Sequence, residues 1–207
     1  MVKVKICGIT NLEDALLASE SGADALGFIF VKKSPRCIKE EKAKKIIEKL
    51  DPFLFKVGVF LDEEEKKVAD TASFLNLDAL QFHGSESAAY CRLFMPRYRV
   101  IKTVFPENPS YRKEILRYKV DAFLFDIKFE EKQKKAKTLS ARTLKEIFSL
   151  KKQGLRVIVS GGLNPYNIKS LSKLKPYAVD AASQIEKLVG KKDEKAMVDF
   201  IKKAKEI

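Results

Sequence analysis

The chain has no tryptophan, a single histidine and only three cysteines. With one histidine, His83, and no CxxC pair or Cys/His cluster, a zinc site is not expected, and no other metal is called for. Cys7, Cys37 and Cys91 form an odd, scattered set, which is a poor disulfide framework and suits a reducing compartment. No apolar run reaches the ~20 residues that a membrane helix needs. The first residues show no basic segment leading into an apolar stretch, so the reading expects no secretory signal, no membrane partner and a cytoplasmic location.

What is present suits a packed domain. Of 207 residues, 45% are hydrophobic and 33% charged, enough for one core of domain size and too apolar for disorder. The net charge of +13 raises the question of a polyanionic partner. Most of the excess lies in segments such as KEEKAKKIIEKL and IKKAKEI, where acidic residues are interleaved as on solvated helix faces. There is no zinc finger and no RNP-like aromatic motif, so nucleic acid is not expected as a partner.

Short apolar runs alternate with helical patterns along the whole chain. Eight segments read as strands: 2–9, 25–31, 55–61, 79–84, 99–105, 122–127, 156–162 and 178–183. Helical stretches between them open on capping residues: Asn11, Asp62, Ser140 and Asp193. Eight such units in one chain of this length predict an α/β fold, a (β/α)8 TIM barrel forming a single compact domain over 1–207. A doubly wound open sheet is the weaker alternative. The longest expected loop, 128–139, is charged and free of glycine.

In such a barrel the strand C-termini form the site. Cys7 ends strand 1, Asp126 ends strand 6, and Gly161 and Gly162 end strand 7. A buried carboxyl favours its protonated form and suits proton donation, but Asp126 reads equally as a residue that bonds its own loop. Cys7 is either a thiolate base or a small buried hydrophobe, and position alone does not decide. Side chains alternate along a strand, so Lys3 and Lys5 share the face of Cys7, with partners that the sequence does not name. In RVIVSGGLNPYNI a helix is expected from about Asn164-Pro165, whose N-terminus, with the two glycines, offers N–H groups to a phosphate. Arg36, in KKSPRCI, either presents its fork to a carboxylate or is solvated. His83, at the end of strand 4, either lines the site or bonds its loop.

The motifs KICGIT, GADALGFIF, KSPRCI, KVGVF, LQFHGSES, FLFDIK, SGGLNPYNI and VDAASQIE…GKKD occur in one order over nearly the whole chain. Together they resemble the phosphoribosylanthranilate isomerase family of tryptophan biosynthesis. The resemblance implies an Amadori rearrangement of a phosphorylated small molecule, with Asp126 as general acid and Cys7 as general base. It implies Arg36 on the anthranilate carboxylate, and Gly161, Gly162 and the backbone around Ser183 on the phosphate. His83 and Asp180 match positions that line the pocket. No cofactor is implied, and Gly8 would leave room for the sugar beside Cys7.

Two stretches depart from the family pattern. The loop after Asp126 lacks the family's glycine-rich run, and its strand-8 serine–serine–glycine reads Ala182-Ser183-Gln184, where glutamine would be costly at positive φ. The alternatives are therefore a related barrel isomerase acting on another sugar phosphate, or a catalytically impaired relative with a binding role. The sequence does not choose between monomer and homodimer.

Overall fold

The computed structural model describes residues 1–108, 110–127 and 138–207. Eight parallel strands close into a barrel in chain order: β1 (Lys3–Cys7), β2 (Ala25–Ile29), β3 (Phe55–Phe60), β4 (Ala79–Phe82), β5 (Arg99–Val104), β6 (Ala122–Phe125), β7 (Val157–Val159) and β8 (Ala178–Ala181). β8 pairs back onto β1, so no edge strand is left. Each strand falls inside a segment expected from the sequence, and the fold is the expected single (β/α)8 barrel. Outside it lie α1 (Leu12–Glu20), α2 (Glu40–Ile47), α3 (Glu65–Leu75), α4 (Ala88–Phe94), α5 (Tyr111–Ile115), α6 (Ala141–Lys152) and α7 (Glu194–Lys205). A hairpin of β9 (Glu186–Leu188) and β10 (Lys191–Lys192), which the sequence pattern did not suggest, precedes α7. Residues 128–137 of the glycine-free loop lie outside the described residues.

The strands read as nearly continuous apolar runs because both faces are buried. Val4, Ile6, Leu26, Phe28, Phe82 and Phe125 are among those packed beneath the helices. Val57, Ala79, Ile101, Ala122, Leu124, Ile158 and Ala178 fill the interior. Burying each large apolar side chain contributes about 1.5–3 kcal/mol. The inner residues nearest the strand N-termini are mostly small. A cavity of about 640 Å³ opens there, its floor including Ala25, Val57, Ala79 and Ala122, and its rim including Phe53 and Phe55.

A repeated device fastens that N-terminal end. Asp24, Asp78 and Asp121 each precede an even-numbered strand and accept from a backbone N–H of the odd-numbered strand before it, Val4, Lys56 and Val100 at 2.7–2.9 Å. Each also pairs with a cation at the start of that strand: Lys3, Lys56 and Arg99. The signal is legible as Asp-Ala followed by Leu or Phe at 24–26, 78–80 and 121–123. It supplies the partner of Lys3 that the sequence left unnamed.

Asn11, Ser140 and Asp193 cap their helices as expected, each accepting from an amide three residues on. Asp62 does not. It sits at φ 48, and the chain enters α3 at Glu64 with no side-chain cap bond. Its carboxylate instead accepts from the Ser85 N–H and hydroxyl at 2.6 and 2.9 Å, in the loop after β4. After β7 the expected helix is also replaced. Asn164 accepts from the amides of Tyr166 and Asn167, and one turn of 3-10 helix follows at Ile168–Leu171.

The loop after β4 is held by a buried ion pair. Glu86 accepts from the N–H groups of Asp62 and Gly84 and pairs with Lys102 of β5 at 3.0 Å, both side chains being inaccessible. Lys102→Met should destabilise the fold by about 3–5 kcal/mol, because it leaves a buried carboxylate without its cation. Lys102→Met with Glu86→Gln should recover part of that loss in urea titrations. A single variant as stable as the parent would show that the pair does not hold this loop.

Candidate active site

The interior changes character towards the strand C-termini, where polar side chains replace alanine and valine. Lys5 of β1 and Asp180 of β8 are register neighbours, and Lys5 Nζ donates to Asp180 Oδ1 at 2.7 Å with both groups buried. Ser160, just beyond β7, donates from Oγ to Asp180 Oδ2 at 3.2 Å. Lys5 therefore has the partner that the sequence could not name. Burial alone would push its ammonium down, but Asp180 and Cys7 outweigh that and hold it above the usual lysine range.

Cys7 ends β1 one residue pair above Lys5. A Cβ on Gly27 of β2 would lie 2.7 Å from the sulfur and 3.1 Å from Lys5 Cε, so only glycine there admits both side chains. Burial pushes the Cys7 thiol above the ordinary cysteine range, against the pull of the Lys5 ammonium. The desolvation of the buried sulfur, with the nearby Asp180 carboxylate, exceeds what the Lys5 and Lys192 ammonium groups return. The other cysteines stand apart, Cys37 exposed and Cys91 buried in α4.

Across the mouth, Asp126 is buried just past β6. Its Oδ1 accepts from the Ile127 N–H at 2.7 Å, and its Oδ2 lies 3.7 Å from His83 Nε2. The His83 ring faces Gln81 Nε2 and Thr103 Oγ1 through Nδ1, at 3.2 and 3.0 Å. Nδ1 thus lies within hydrogen-bond reach of both side chains, and Nε2 is turned to Asp126. Gly161, at φ 83, backs the carboxylate: a Cβ there would lie 3.2 Å from Asp126 Oδ1. The glycine is thus required by its backbone and by the acid beside it.

Arg36 reaches the same mouth from the loop after β2. Its stem crosses Gly8, where a Cβ would lie 2.7 Å from Arg36 Cδ. The space expected for a sugar at Gly8 is filled by this arginine. Its fork already holds a protein carboxylate, Glu186 of β9, at 2.6–3.1 Å.

On the anion side, Gly162 takes φ 71 and its carbonyl accepts from Asn167 Nδ2. The N–H groups of Gly161 and Gly162 find no acceptor among the described residues. Ser183 is exposed and begins a 3-10 turn, Ser183–Ile185. Gln184 lies within that turn and not at positive φ, so replacing glycine there carries no backbone penalty. Among the described residues no α-helix stands between β7 and β8 to add an N-terminus beside these loop amides.

The fold therefore brings Cys7, Arg36, His83, Asp126, Gly161, Gly162, Asp180 and Ser183 to one end of the barrel. Sequence reasoning assigned no role to Lys5, Ser160, Glu186 or Lys192. The last two belong to motifs already noticed, SQIE and GKKD, but the partners that tie them to the site, Arg36 and the Cys7 carbonyl, are over a hundred residues away. Among the described residues no three His, Cys, Asp or Glu side chains converge as metal ligands, and no helix is long and apolar enough to cross a membrane.

Comparison with known proteins agrees with this geometry. The family model described as N-(5'-phosphoribosyl)anthranilate (PRA) isomerase matches residues 4–203. The chain is 45% identical over 206 residues to the N-(5'-phosphoribosyl)anthranilate isomerase of Thermotoga petrophila, covering 99% of each. It superimposes over 100% of both chains, at TM-score 0.88 and 42% identity, on a phosphoribosylanthranilate isomerase in complex with reduced 1-(o-carboxyphenylamino)-1-deoxyribulose 5-phosphate. It is equally similar, at TM-score 0.88 and 41% identity, to monomers generated from the dimeric enzyme of Thermotoga maritima, again over 100% of both chains. The chain belongs to the N-(5'-phosphoribosyl)anthranilate isomerase family.

Proposed function

We propose that Asp126 and Cys7 carry the two proton transfers of the Amadori rearrangement of N-(5'-phosphoribosyl)anthranilate, within one domain over 1–207. The observation that carries this reading is the convergence of an enclosed carboxyl and an enclosed thiol at one barrel mouth, beside an arginine and loop amides that have no acceptor among the described residues. Protonated Asp126 gives its proton to the ring oxygen. The C1–O bond breaks, and the nitrogen lone pair forms the C1=N iminium. Cys7, as thiolate, takes the C2 proton, and the C2–H electrons form the enolamine C1=C2 bond as the iminium is neutralised. Tautomerisation gives the ketose. C1 is reduced and C2 oxidised within one molecule, which is an aldose–ketose isomerisation and needs no external electron acceptor.

The surroundings suit each step. The Lys5 ammonium favours the thiolate over the thiol. His83 Nε2 faces the carboxylate that Asp126 becomes. Arg36 holds the anthranilate carboxylate, and the Gly161, Gly162 and Ser183 amides hold the phosphate. Asp180 fixes Lys5. This family membership disfavours a different sugar phosphate or a non-catalytic binding role. A cytoplasmic location accords with a biosynthetic role and with free, unpaired cysteines.

The N-terminal mouth supports a homodimer. Phe53 is 95% exposed beside the cavity there, and an aromatic left in water at the rim of a hollow favours a second copy over that face. The relative from Thermotoga maritima is dimeric.

Asp126→Asn and Cys7→Ala should each lower turnover of freshly generated phosphoribosylanthranilate by ~10²–10⁴-fold, the usual contribution of such groups. Parent-like turnover by either variant would remove its residue from the mechanism. Because only the thiolate accepts a proton and burial raises the Cys7 pKa, kcat/KM should climb with pH through neutrality and keep climbing into the range where an ordinary cysteine has already ionised. A flat profile over that range would count against Cys7 as base. Sedimentation should give a dimer that Phe53→Glu converts to monomer, and a monomeric parent protein would refute the interface.

A further inference from the structure

Arg36 is the visible member of a buried trio. Its Nε donates to Glu186 Oε1 at 2.8 Å and its Nη2 to Glu186 Oε2 at 2.6 Å. Glu186 Oε1 also accepts from Lys192 Nζ at 3.0 Å. Lys192 donates in addition to the carbonyls of Cys7 and Ala182, at 2.7 and 3.1 Å, which satisfies all three of its N–H bonds. Side-chain exposure falls from 17% at Arg36 to 4% at Glu186 and 0% at Lys192. The trio thus runs from the rim to the backbone of the strand that ends in Cys7.

A guanidinium offers two edges that hold a carboxylate by parallel N–H bonds, Nε with Nη2, and Nη1 with Nη2. Glu186 occupies the first. Among the described residues nothing accepts from Nη1. The guanidinium is planar, so a carboxylate clamped on one edge fixes the direction of the other. Glu186 is itself clamped by Lys192, and the Arg36 stem is confined over Gly8. Two cations against one anion leave the trio one positive charge in excess, which one further carboxylate would balance.

We propose that Glu186, anchored by Lys192, is a positioning residue that aims the outer edge of Arg36 at the aryl carboxylate of the substrate and so sets selectivity for a carboxylated aryl amine. This rests on the reading that Arg36 binds that carboxylate. Glu186 touches no reacting atom. Its effect belongs in KM and only for substrates that carry the carboxylate.

The test compares kcat and KM for phosphoribosylanthranilate and for its phosphoribosylaniline counterpart, which lacks the carboxylate. Arg36→Met checks the underlying reading: it should raise KM for the first substrate alone, and an equal effect on both would refute Arg36 as the carboxylate ligand whatever Glu186 does. Given that result, Glu186→Ala should raise KM for phosphoribosylanthranilate about tenfold, with kcat and the aniline substrate changed less than about threefold, as expected for misaligning a charge-assisted bidentate contact. Glu186→Gln, which keeps one acceptor oxygen, should fall between. Arg36→Met with Glu186→Ala should be no worse than Arg36→Met alone. The proposal is overturned if Glu186→Ala leaves both substrates unchanged, lowers kcat/KM for both alike, or adds its full effect to that of Arg36→Met. Should Glu186→Ala fail to fold, Glu186→Gln and Glu186→Gln with Lys192→Met decide by the same criteria.

Discussion

An ammonium group enclosed in a barrel has no water to lean on, and Lys5 meets that condition with Asp180 on the adjoining strand. The pair places opposite charges in the layer beneath the catalytic mouth, and neighbouring features follow from it. Gly27 must lack a side chain, since Lys5 and the Cys7 sulfur fill the space a Cβ would take. Ser160 must bond the far oxygen of Asp180, which ties β7 and its glycine pair to the same centre. Cys7 then sits next to a cation that is already engaged, so its thiol stays above the ordinary cysteine range despite that ammonium.

The same logic recurs at the rim with other residues. Lys192 is buried and needs acceptors, which the end of β1 and the loop after β8 supply as carbonyl oxygens and Glu186. Glu186 in turn holds Arg36. The hairpin that carries Glu186 and Lys192 is secured to α1, where Asp14 accepts from the Lys192 N–H and pairs with Lys191. A two-stranded insertion before the last helix thereby becomes part of the site. The barrel supplies rigid strand ends, and short charged segments between strands and helices set the angles of the side chains at the mouth.

Local chemistry was the readable part. Strand positions followed from apolar runs buried on both faces, and three of four helix caps followed from a side chain that bonds an amide three residues on. Asp62 failed because its competing partner, Ser85, lies in another loop. After β7, Asn164 accepts from the Tyr166 and Asn167 amides as an N-cap does, yet only a 3-10 turn, Ile168–Leu171, follows. The cost expected for Gln184 did not arise because the turn it occupies keeps φ negative.

The sequence by itself determined a barrel of eight strands and put a thiol, a carboxyl and a glycine pair at the strand ends, because periodicity and turn residues act over a few positions. Only the tertiary structure decided how those groups are tuned. The partners of Lys5, Arg36 and Cys7 lie 150 to 185 residues away, at Asp180, Glu186 and Lys192. No local pattern records such distances, and the pKa of a buried group is set by whichever charges closure of the barrel brings against it.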